Sequence, residues 1–519
     1  IVKFFQVVNS DHRVVFSTYQ SSESIEDAQK LGAPKFDIII ADEAHHCAGK
    51  VDSDFARVLD GKKIKSKKRL FMTATPKYLT KRIRDQAKEK EVPVASMDDI
   101  NVFGPYFHTL NFGEAIRYEP EPLLSDYRVV VNITTSKDIQ DIIKKREYVT
   151  LGKGIDSDAE SIGMISSFIN LIEEYGITHA ITFHNRVEQA KTLSSHLKKI
   201  FPLTNNKYKK EPPFIQHVEA ADMTTAYRAE ILKRFREASG GINILSNAKC
   251  LTEGVDIRAV DCVAFFEPKR STIDILQAVG RAIRKSKEGK VGTIFIPVFV
   301  PEEMIDDPEL VLQKSRFQDV FDIVQALKEH DKEFAQELDE IRIEIGQRKG
   351  GSRIMPPKLT IIAPTIRDIS FFEKINNMIV VQTTEDWHET YGSFVAYKKE
   401  FPDTPVPLRA EYHSLNLGRW VGHQREAKKK GTLSPEKIKL LEEAGIIWDP
   451  LEEAWQQGYK VFVAYQKEFP DTQVPIRAEY HDLNLGIWVT TQRGAKKKGT
   501  LSPEKIKLLE EAWQQGYKV

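Results

Sequence analysis

Seven short apolar runs punctuate the first 300 residues: VVFST (14–18), FDIIIA (36–41), RLFMTAT (69–75), HAITF (179–183), INILSN (242–247), VDCVAFF (260–266) and TIFIPVFV (293–300). Segments of helical periodicity fill the intervals. A strand followed by a helix returns the chain to the same end of the sheet, so this alternation specifies parallel sheets with helices packed on them. A mixed, Pro-containing stretch near 105–125 separates the first three runs from the other four. Two α/β domains in tandem are expected, over residues 1–120 and 121–300.

The run FDIIIADEAHH is the most informative. Its apolar residues read as a buried strand that delivers Asp42 and Glu43 to the edge of a sheet. An Asp so placed can hold magnesium through water, and the next carboxylate can orient or deprotonate an attacking water. His45 and His46 follow, either able to relay contact to a neighbouring domain. TAT (73–75) ends the next strand and brings Thr73 and Thr75 to the same edge. In QAVGRAIRK, Arg281 and Arg284 stand three apart and are expected on one helical face, where two guanidiniums can reach a γ-phosphate.

Residues 301–348 carry apolar side chains at helical spacing among many charges and read as one or two exposed amphipathic helices. KGGSRIMPPKLTIIAPTIRD then reads as a linker because of its Gly and Pro breakers, giving a helical linker region over 301–380. Beyond it lies an internal repeat, FVAYKKEFPDTPVPLRAEYHSLNLGRW from Phe394 and FVAYQKEFPDTQVPIRAEYHDLNLGIW from Phe462, each continuing through AKKKGTLSPEKIKLLEEA. The modules are expected at 381–450 and 451–519. Each fits three helices: an aromatic-rich first, a second from Leu417 or Leu485, and a third begun by Ser-Pro at N-cap and N1.

With 519 residues, three or four domains are expected; a net charge of +1 places any nucleic-acid attraction in local patches. The three cysteines, Cys47, Cys250 and Cys262, suit neither a disulfide framework nor a C-x-x-C metal site, so a reducing, cytoplasmic setting is expected. No apolar run approaches the roughly 20 residues of a membrane helix, and no membrane partner is expected. The opening Ile1 and the closing WQQGYKV, which matches the lead-in at 455–461, read as the ends of a cut piece.

In order, STYQS (17–21), DEAH (42–45), TAT (73–75), ITFHNRVEQA (181–190), LSNAKCLTEGVDI (245–257) and QAVGRAIR (277–284) resemble the superfamily 2 helicases, in the DEAH-type branch related to restriction-enzyme and repair translocases. The resemblance implies two RecA-like domains that hold ATP and Mg2+ between them and a nucleic-acid strand across their tops. It gives Asp42 the magnesium, Glu43 the water, Arg281 and Arg284 the finger roles, and counts His45 and Gln277 with the catalytic set. Gly254, Asp256 and Gly280 would approach the nucleotide, and Thr73, Thr75, Thr252 and Glu253 would couple hydrolysis to movement. Thr18, Gln20, Asn185 and Arg186 would face the phosphate backbone.

One departure is large. No G-x-x-x-x-G-K-[S/T] loop occurs, so the phosphates lack their backbone cradle and weak ATP turnover is expected. In this family the loop lies upstream of STYQS, and its place is expected before residue 1, leaving the first domain incomplete. The expected function is an ATP-dependent DNA helicase or double-stranded DNA translocase, acting as a monomer. DNA is favoured over RNA on family grounds; the alternatives are an RNA helicase and a non-catalytic nucleic-acid-binding protein with a decayed motor.

The repeats resemble the helicase-associated domain, a module implied to bind nucleic acid. Arg425, Lys428, Lys429 and Lys430 in the first copy, with Arg493, Lys496, Lys497 and Lys498 in the second, suit phosphate contact. Trp420 is expected in the core. The copies differ at Arg419/Ile487, Gly422/Thr490, His423/Thr491 and Glu426/Gly494, one helical stripe that is expected to face outward and put Arg419 and His423 toward a ligand.

Overall fold

The computed structural model describes residues 12–51, 53–145, 159–204, 211–219, 222–238, 240–248, 260–267, 271–285, 289–307, 309–311, 315–348, 355–402, 404–470 and 472–515. They fall into two compact units, Ile1–Ala335 with Pro356–Phe372, and Gln336–Met355 with Glu373–Val519.

At the start of the first unit, β1 (Phe36–Ala41) pairs parallel with β3 (Ser66–Phe71), in register from Phe36 with Ser66 to Ala41 with Phe71. The helix Glu23–Lys30 is fastened beside them by Gln29, whose amide donates to Lys65 O and Pro34 O and accepts from Lys65 N. β2 (Gly49–Lys50) and β4 (Val94–Ala95) form a short antiparallel pair.

Two expectations fail here. VVFST forms no strand: Val14 and Phe16 are 66% and 94% exposed, and no ladder beside them exists among the described residues. β1 is not a buried strand either, since Ile38 and Ile40 are 52% and 59% exposed. Its apolar run would suit burial on both faces, but its only described ladder partner is β3.

The larger sheet has seven parallel strands: β5 (Tyr127–Thr135), β6 (His179–His184), β7 (Phe214–Val218), β8 (Asn243–Ala248), β9 (Cys262–Phe265), β10 (Gly292–Val300) and β11 (Leu359–Ile362), ordered β11-β5-β10-β9-β6-β8-β7. Helices Ala159–Glu174 and Val187–Thr204 cover one face, where Phe168, Phe201 and Phe295 are fully buried. Each such side chain contributes about 1.5–3 kcal/mol of transfer free energy. The register alternates, so Val130 and Phe295 belong to this core while Val129, Val131, Ile294 and Ile296 are buried elsewhere. Helices Thr272–Ala282 and Phe317–His330 pack together and against β10.

The region 301–380 is therefore no separate linker. Phe317, Val320, Ile323, Val324 and Leu327 make the helix Phe317–His330 a buried one. The LTII of the expected linker becomes β11, paired with β5 from Leu359–Val129 to Ile362–Asn132. Asp331, fully buried, explains the anchoring. Its carboxylate accepts from the Tyr127 hydroxyl (2.9 Å) and the Lys358 ammonium (3.1 Å), and caps the helix Lys332–Gly346 through Glu333 N and Phe334 N.

In the second unit, the carboxyl-terminal half of that helix packs on the first module. Arg342, 3% exposed, lies 2.8 Å from both Asp386 and Glu389, and Gly346 and Gly392 sit where a Cβ would meet the Glu389 and Ile343 carbonyls. Three helices build each module as expected: Asp386–Glu400, Leu417–Lys429 and Pro435–Glu443, then Pro450–Glu468, Leu485–Lys497 and Pro503–Gln515. Equivalent contacts recur. The Trp387 and Trp455 indoles donate to Gln424 and Gln492 at 3.0 Å, and the Tyr391 and Tyr459 hydroxyls to the Leu440 and Leu508 carbonyls. Trp420 packs against Trp387 and Phe394 in the core.

Replacing Asp331 by Ala would take away the buried carboxylate that Lys358 and Tyr127 share and leave the helix uncapped; we expect a loss of about 3 kcal/mol in denaturant unfolding. Gly486→Ala would drive a Cβ to 2.2 Å from the Pro475 carbonyl, a backbone atom that cannot yield locally. Its expected cost is about 1–3 kcal/mol, read as a lower melting temperature of the modules.

Candidate nucleotide and nucleic-acid site

β1 ends at Ala41, and Asp42 and Glu43 follow at its carboxyl end. The ladder continues one step, with Met72 N donating to Ala41 O and Ala44 N to Met72 O, both at 2.8 Å, so the segment after β3 runs beside the acidic pair. TAT consequently lies past the end of β3, not within it.

Glu43 is the one residue of the pair with unusual backbone, φ 50° and ψ 45°, at the entry to a single turn over Ala44–Cys47. A left-handed Glu costs on the order of 1 kcal/mol or more and persists only where its surroundings hold it. Here the hold is visible. The Asp42 carboxylate accepts from Glu43 N at 3.0 Å, and the Tyr19 hydroxyl donates to the Asp42 carbonyl at 2.6 Å. Tyr19 packs on Phe55, and Phe55 on His46. Burial pushes the Tyr19 hydroxyl well above its ordinary range and the Cys47 thiol to about 11.

His45 is buried and joins the two segments. Its Nδ1 lies 3.0 Å from the Thr73 hydroxyl and 3.4 Å from the Glu43 carboxylate. The imidazole holds the Glu43 carboxyl below the usual carboxylate range, against an opposing push from partial burial. The Thr73 hydroxyl also accepts from Thr75 N at 3.1 Å. The Thr75 hydroxyl is buried and makes no hydrogen bond among the described residues.

Of the remaining expected residues, Thr18 and Gln20 are exposed, and the Thr18 hydroxyl closes a turn by accepting from Ser21 N at 3.3 Å. Asn185 and Arg186 are exposed at the carboxyl end of β6, beside Glu267, whose carboxyl burial pushes up. Thr252, Glu253, Gly254 and Asp256 lie outside the described residues. The arginines do not share a helical face. Arg281 is 5% exposed in the helix Thr272–Ala282, whereas that helix ends before Arg284, which is exposed and bridged through its backbone to Leu124. On the same helix, Gln277 has a buried amide oxygen without a partner among the described residues, and a Cβ on Gly280 would meet open space.

In the modules, Leu417, Val421 and Gln424 are buried, and of the expected outward stripe Arg419, His423, Glu426, Ile487, Thr490 and Thr491 are exposed while Gly422 and Gly494 are half-buried, as is Trp420 of the neighbouring stripe. The basic set divides. Arg425 is half-buried and donates to the Ile447 carbonyl at 2.9 Å. Lys428, Lys430 and Lys496 pair with Glu442, Glu426 and Glu510. Lys429, Arg493, Lys497 and Lys498 are exposed.

Tyr19 was invisible as a site residue from sequence, although it sits inside STYQS. Its hydroxyl acts on a main-chain carbonyl, which no residue pattern records.

Because the Glu43 carboxyl is held low, its contribution to stability is present above the ordinary glutamate value of about 4.3 and is lost as pH falls through the depressed folded value. His45→Ala should return the Glu43 titration upward, toward that ordinary value. Carboxyl carbon NMR shifts followed against pH check this.

Comparison with known proteins places these features. The pattern described as "Type III restriction enzyme, res subunit" matches residues 4–78, "Helicase conserved C-terminal domain" matches 163–286, and "Helicase associated domain" matches 384–449 and 452–515. A curated relative, "Probable helicase A859L" of African swine fever virus (isolate Pig/Kenya/KEN-50/1950), is 26% identical over 65% of this chain and 33% of its own length. The same-named protein of the Badajoz 1971 Vero-adapted strain is 26% identical over 63% of this chain and 32% of its own. The chain thus spans about a third of the length of these relatives. Among solved structures, "ATP-dependent Type ISP restriction-modification enzyme LlaBIII bound to DNA" shares the fold, with a TM-score of 0.57 at 24% identity over 98% of this chain and 34% of that one. Restriction-enzyme, helicase carboxyl-terminal and helicase-associated regions thus follow one another along the chain, each similar to the corresponding part of helicase-type proteins.

Proposed function

We propose that this chain is the motor and nucleic-acid-binding part of an ATP-driven translocase or helicase acting on DNA. The observation that carries the reading is the contact of His45 with both Glu43 and Thr73, at 3.4 and 3.0 Å. One buried ring touches the carboxylate suited to orient water and the hydroxyl segment suited to report its state. A change at Glu43 on nucleotide binding would be felt at Thr73, which is what coupling of hydrolysis to movement requires.

Asp42 fits a magnesium ion held through water: it is an exposed carboxylate at a strand end, a single ligand of the kind that ion takes alongside substrate phosphates. Bound there, magnesium would supply charge neutralisation to the phosphates of ATP. Glu43 would orient the attacking water, with its carboxyl held ionised by His45. Gln277, Arg281 and Arg284 would serve the nucleotide from the second α/β region. Arg281 would act from a buried position and Arg284 from an exposed one.

For nucleic acid, Thr18, Gln20, Asn185 and Arg186 offer exposed polar groups at strand ends and loops, and Arg419, His423, Lys429, Arg493, Lys497 and Lys498 do so on the modules. DNA is preferred to RNA by analogy with the DNA-bound type ISP enzyme of the same fold. The 519 residues contain no G-x-x-x-x-G-K-[S/T] segment, so this chain by itself should turn over ATP poorly. The same fact favours a second reading, a nucleic-acid-binding protein without catalysis.

Two measurements test these readings. Affinity for a duplex DNA and for an RNA duplex of the same sequence should favour DNA and fall with salt. Changing Lys429, Lys497 and Lys498 to Ala should lower the slope of log K against log salt by about one for each phosphate that is no longer neutralised. Equal or tighter RNA binding would overturn the DNA preference. ATP hydrolysis with DNA should stay near background, and substantial turnover abolished by Glu43→Gln would overturn that expectation.

A further inference from the structure

Within STYQS, Ser17, Thr18, Gln20 and Ser21 are exposed and Tyr19 alone is half-buried. Its ring packs on Phe55 at 5.7 Å, and its hydroxyl donates to the Asp42 carbonyl at 2.6 Å. The buried Cys47 thiol, at the end of the turn Ala44–Cys47, is a second hydrogen-bond partner of that hydroxyl. The phenol thus grips the acidic segment on both sides of Glu43. One hold is on the peptide that joins Asp42 to Glu43, the other on the turn that follows. With Glu43 N bonded to the Asp42 carboxylate at 3.0 Å, the orientation of that peptide accompanies the left-handed φ of 50° at Glu43.

The helix Glu23–Lys30 that follows STYQS is fastened by Glu26 to Arg57 at 2.6 Å and by Gln29 to Lys65. The turn before it closes on itself: Ser21 N donates to the Thr18 carbonyl at 3.2 Å, and the Thr18 hydroxyl donates to the Ser21 Oγ at 3.0 Å. A phosphate oxygen that accepts from the Thr18 hydroxyl must draw that donor away from Ser21. Because the helix is fixed, residues 18 to 21 absorb the change, and Tyr19 is the one whose side chain reaches the acidic segment.

We propose that Tyr19 is a positioning residue for the acidic pair: its hydroxyl holds Glu43 in the left-handed backbone and reports nucleic acid bound at Thr18 and Gln20 to the Glu43 carboxylate. This role rests on the proposed function, in which Thr18 and Gln20 face phosphates and Glu43 orients water. The left-handed Glu43 is the element with two states. Released from the phenol, it relaxes to an ordinary backbone, and its carboxylate leaves the His45 ring now 3.4 Å away. By linkage, bound DNA and the state of Glu43 bias one another to the same extent.

The test follows the Glu43 side-chain carboxyl carbon by NMR in the full chain, with Glu43→Gln to assign the resonance. Tyr19→Phe keeps the ring and removes only the hydroxyl. Without DNA, it should move the Glu43 titration upward, since of the two imidazoles that face this carboxyl, His45 and His46, the nearer is lost. A short DNA duplex at saturation, judged by fluorescence anisotropy, should shift the Glu43 resonance in the parent protein and leave it in place in Tyr19→Phe. Thr18→Ala combined with Gln20→Ala should weaken duplex binding about threefold to tenfold, the worth of a lost hydrogen bond. Unchanged affinity in that double variant would overturn the phosphate-facing reading of STYQS, and the role of Tyr19 with it. Weakened affinity together with a Glu43 resonance that ignores DNA, or that responds equally in Tyr19→Phe, would overturn the role of Tyr19 alone. So would a Glu43 titration that Tyr19→Phe does not move. Loss of duplex binding in Tyr19→Phe would put the hydroxyl in the DNA contact itself and likewise overturn it.

Discussion

A single buried carboxylate organises the larger unit. Asp331 sits between the start of β5, through Tyr127, and the approach to β11, through Lys358, while beginning the helix Lys332–Gly346. Remove its charge from the interior and three elements distant in sequence no longer meet at a common point. A buried ion pair is not by itself evidence of stability, because desolvation offsets the attraction. What this one supplies is register: an ammonium and a phenol must both reach one group, which places β11 against β5 in one way. The second network at the other end of the pair, Asp138 with Thr135 and Thr365, fixes the same alignment from the far side.

That arrangement also explains what was legible in the sequence. Strands bounded by turn residues and rich in Ile, Val and Phe, such as FDIIIA, HAITF and TIFIPVFV, announced themselves. The Ser-Pro starts of the third module helices did too, since Ser434 accepts from Lys437 N as an N-cap should. β5 was missed although its centre, VVV, is buried completely, because its flanks Asn132, Thr134 and Thr135 are polar and blur the pattern. β11 was hidden by its neighbours: KLTIIAP lies among Gly and Pro, and it is tertiary pairing with β5, anchored by Lys358 to Asp331, that makes four residues a strand.

The candidate site divides along similar lines. Residue types and order pointed to Asp42, Glu43, His45 and Thr73, and the structure brings these four within one hydrogen-bonded group. What a pattern could not convey was how they are held. The left-handed backbone of Glu43, the Tyr19 hydroxyl on a carbonyl and the termination of the helix before Arg284 are properties of main chain. Side-chain identities constrain them only weakly. The lysines of the modules show the converse case, where a legible charge run is partly committed to glutamates on the next helix.

The pairing of β11 with β5 has a consequence for how the chain is made. Thr135 and Thr365, which meet at the end of that pair, are separated by 230 residues. Closing so long a loop is entropically late, and contacts of this separation slow folding. On a ribosome the outer edge of β5 stays unpaired until residues 359–362 have emerged, through the synthesis of every other strand in the sheet. An open edge with an apolar centre such as Val129–Val131 is a template for pairing with other chains. Segments cut anywhere before Leu359 would carry that edge permanently, whatever the completeness of the strands they retain.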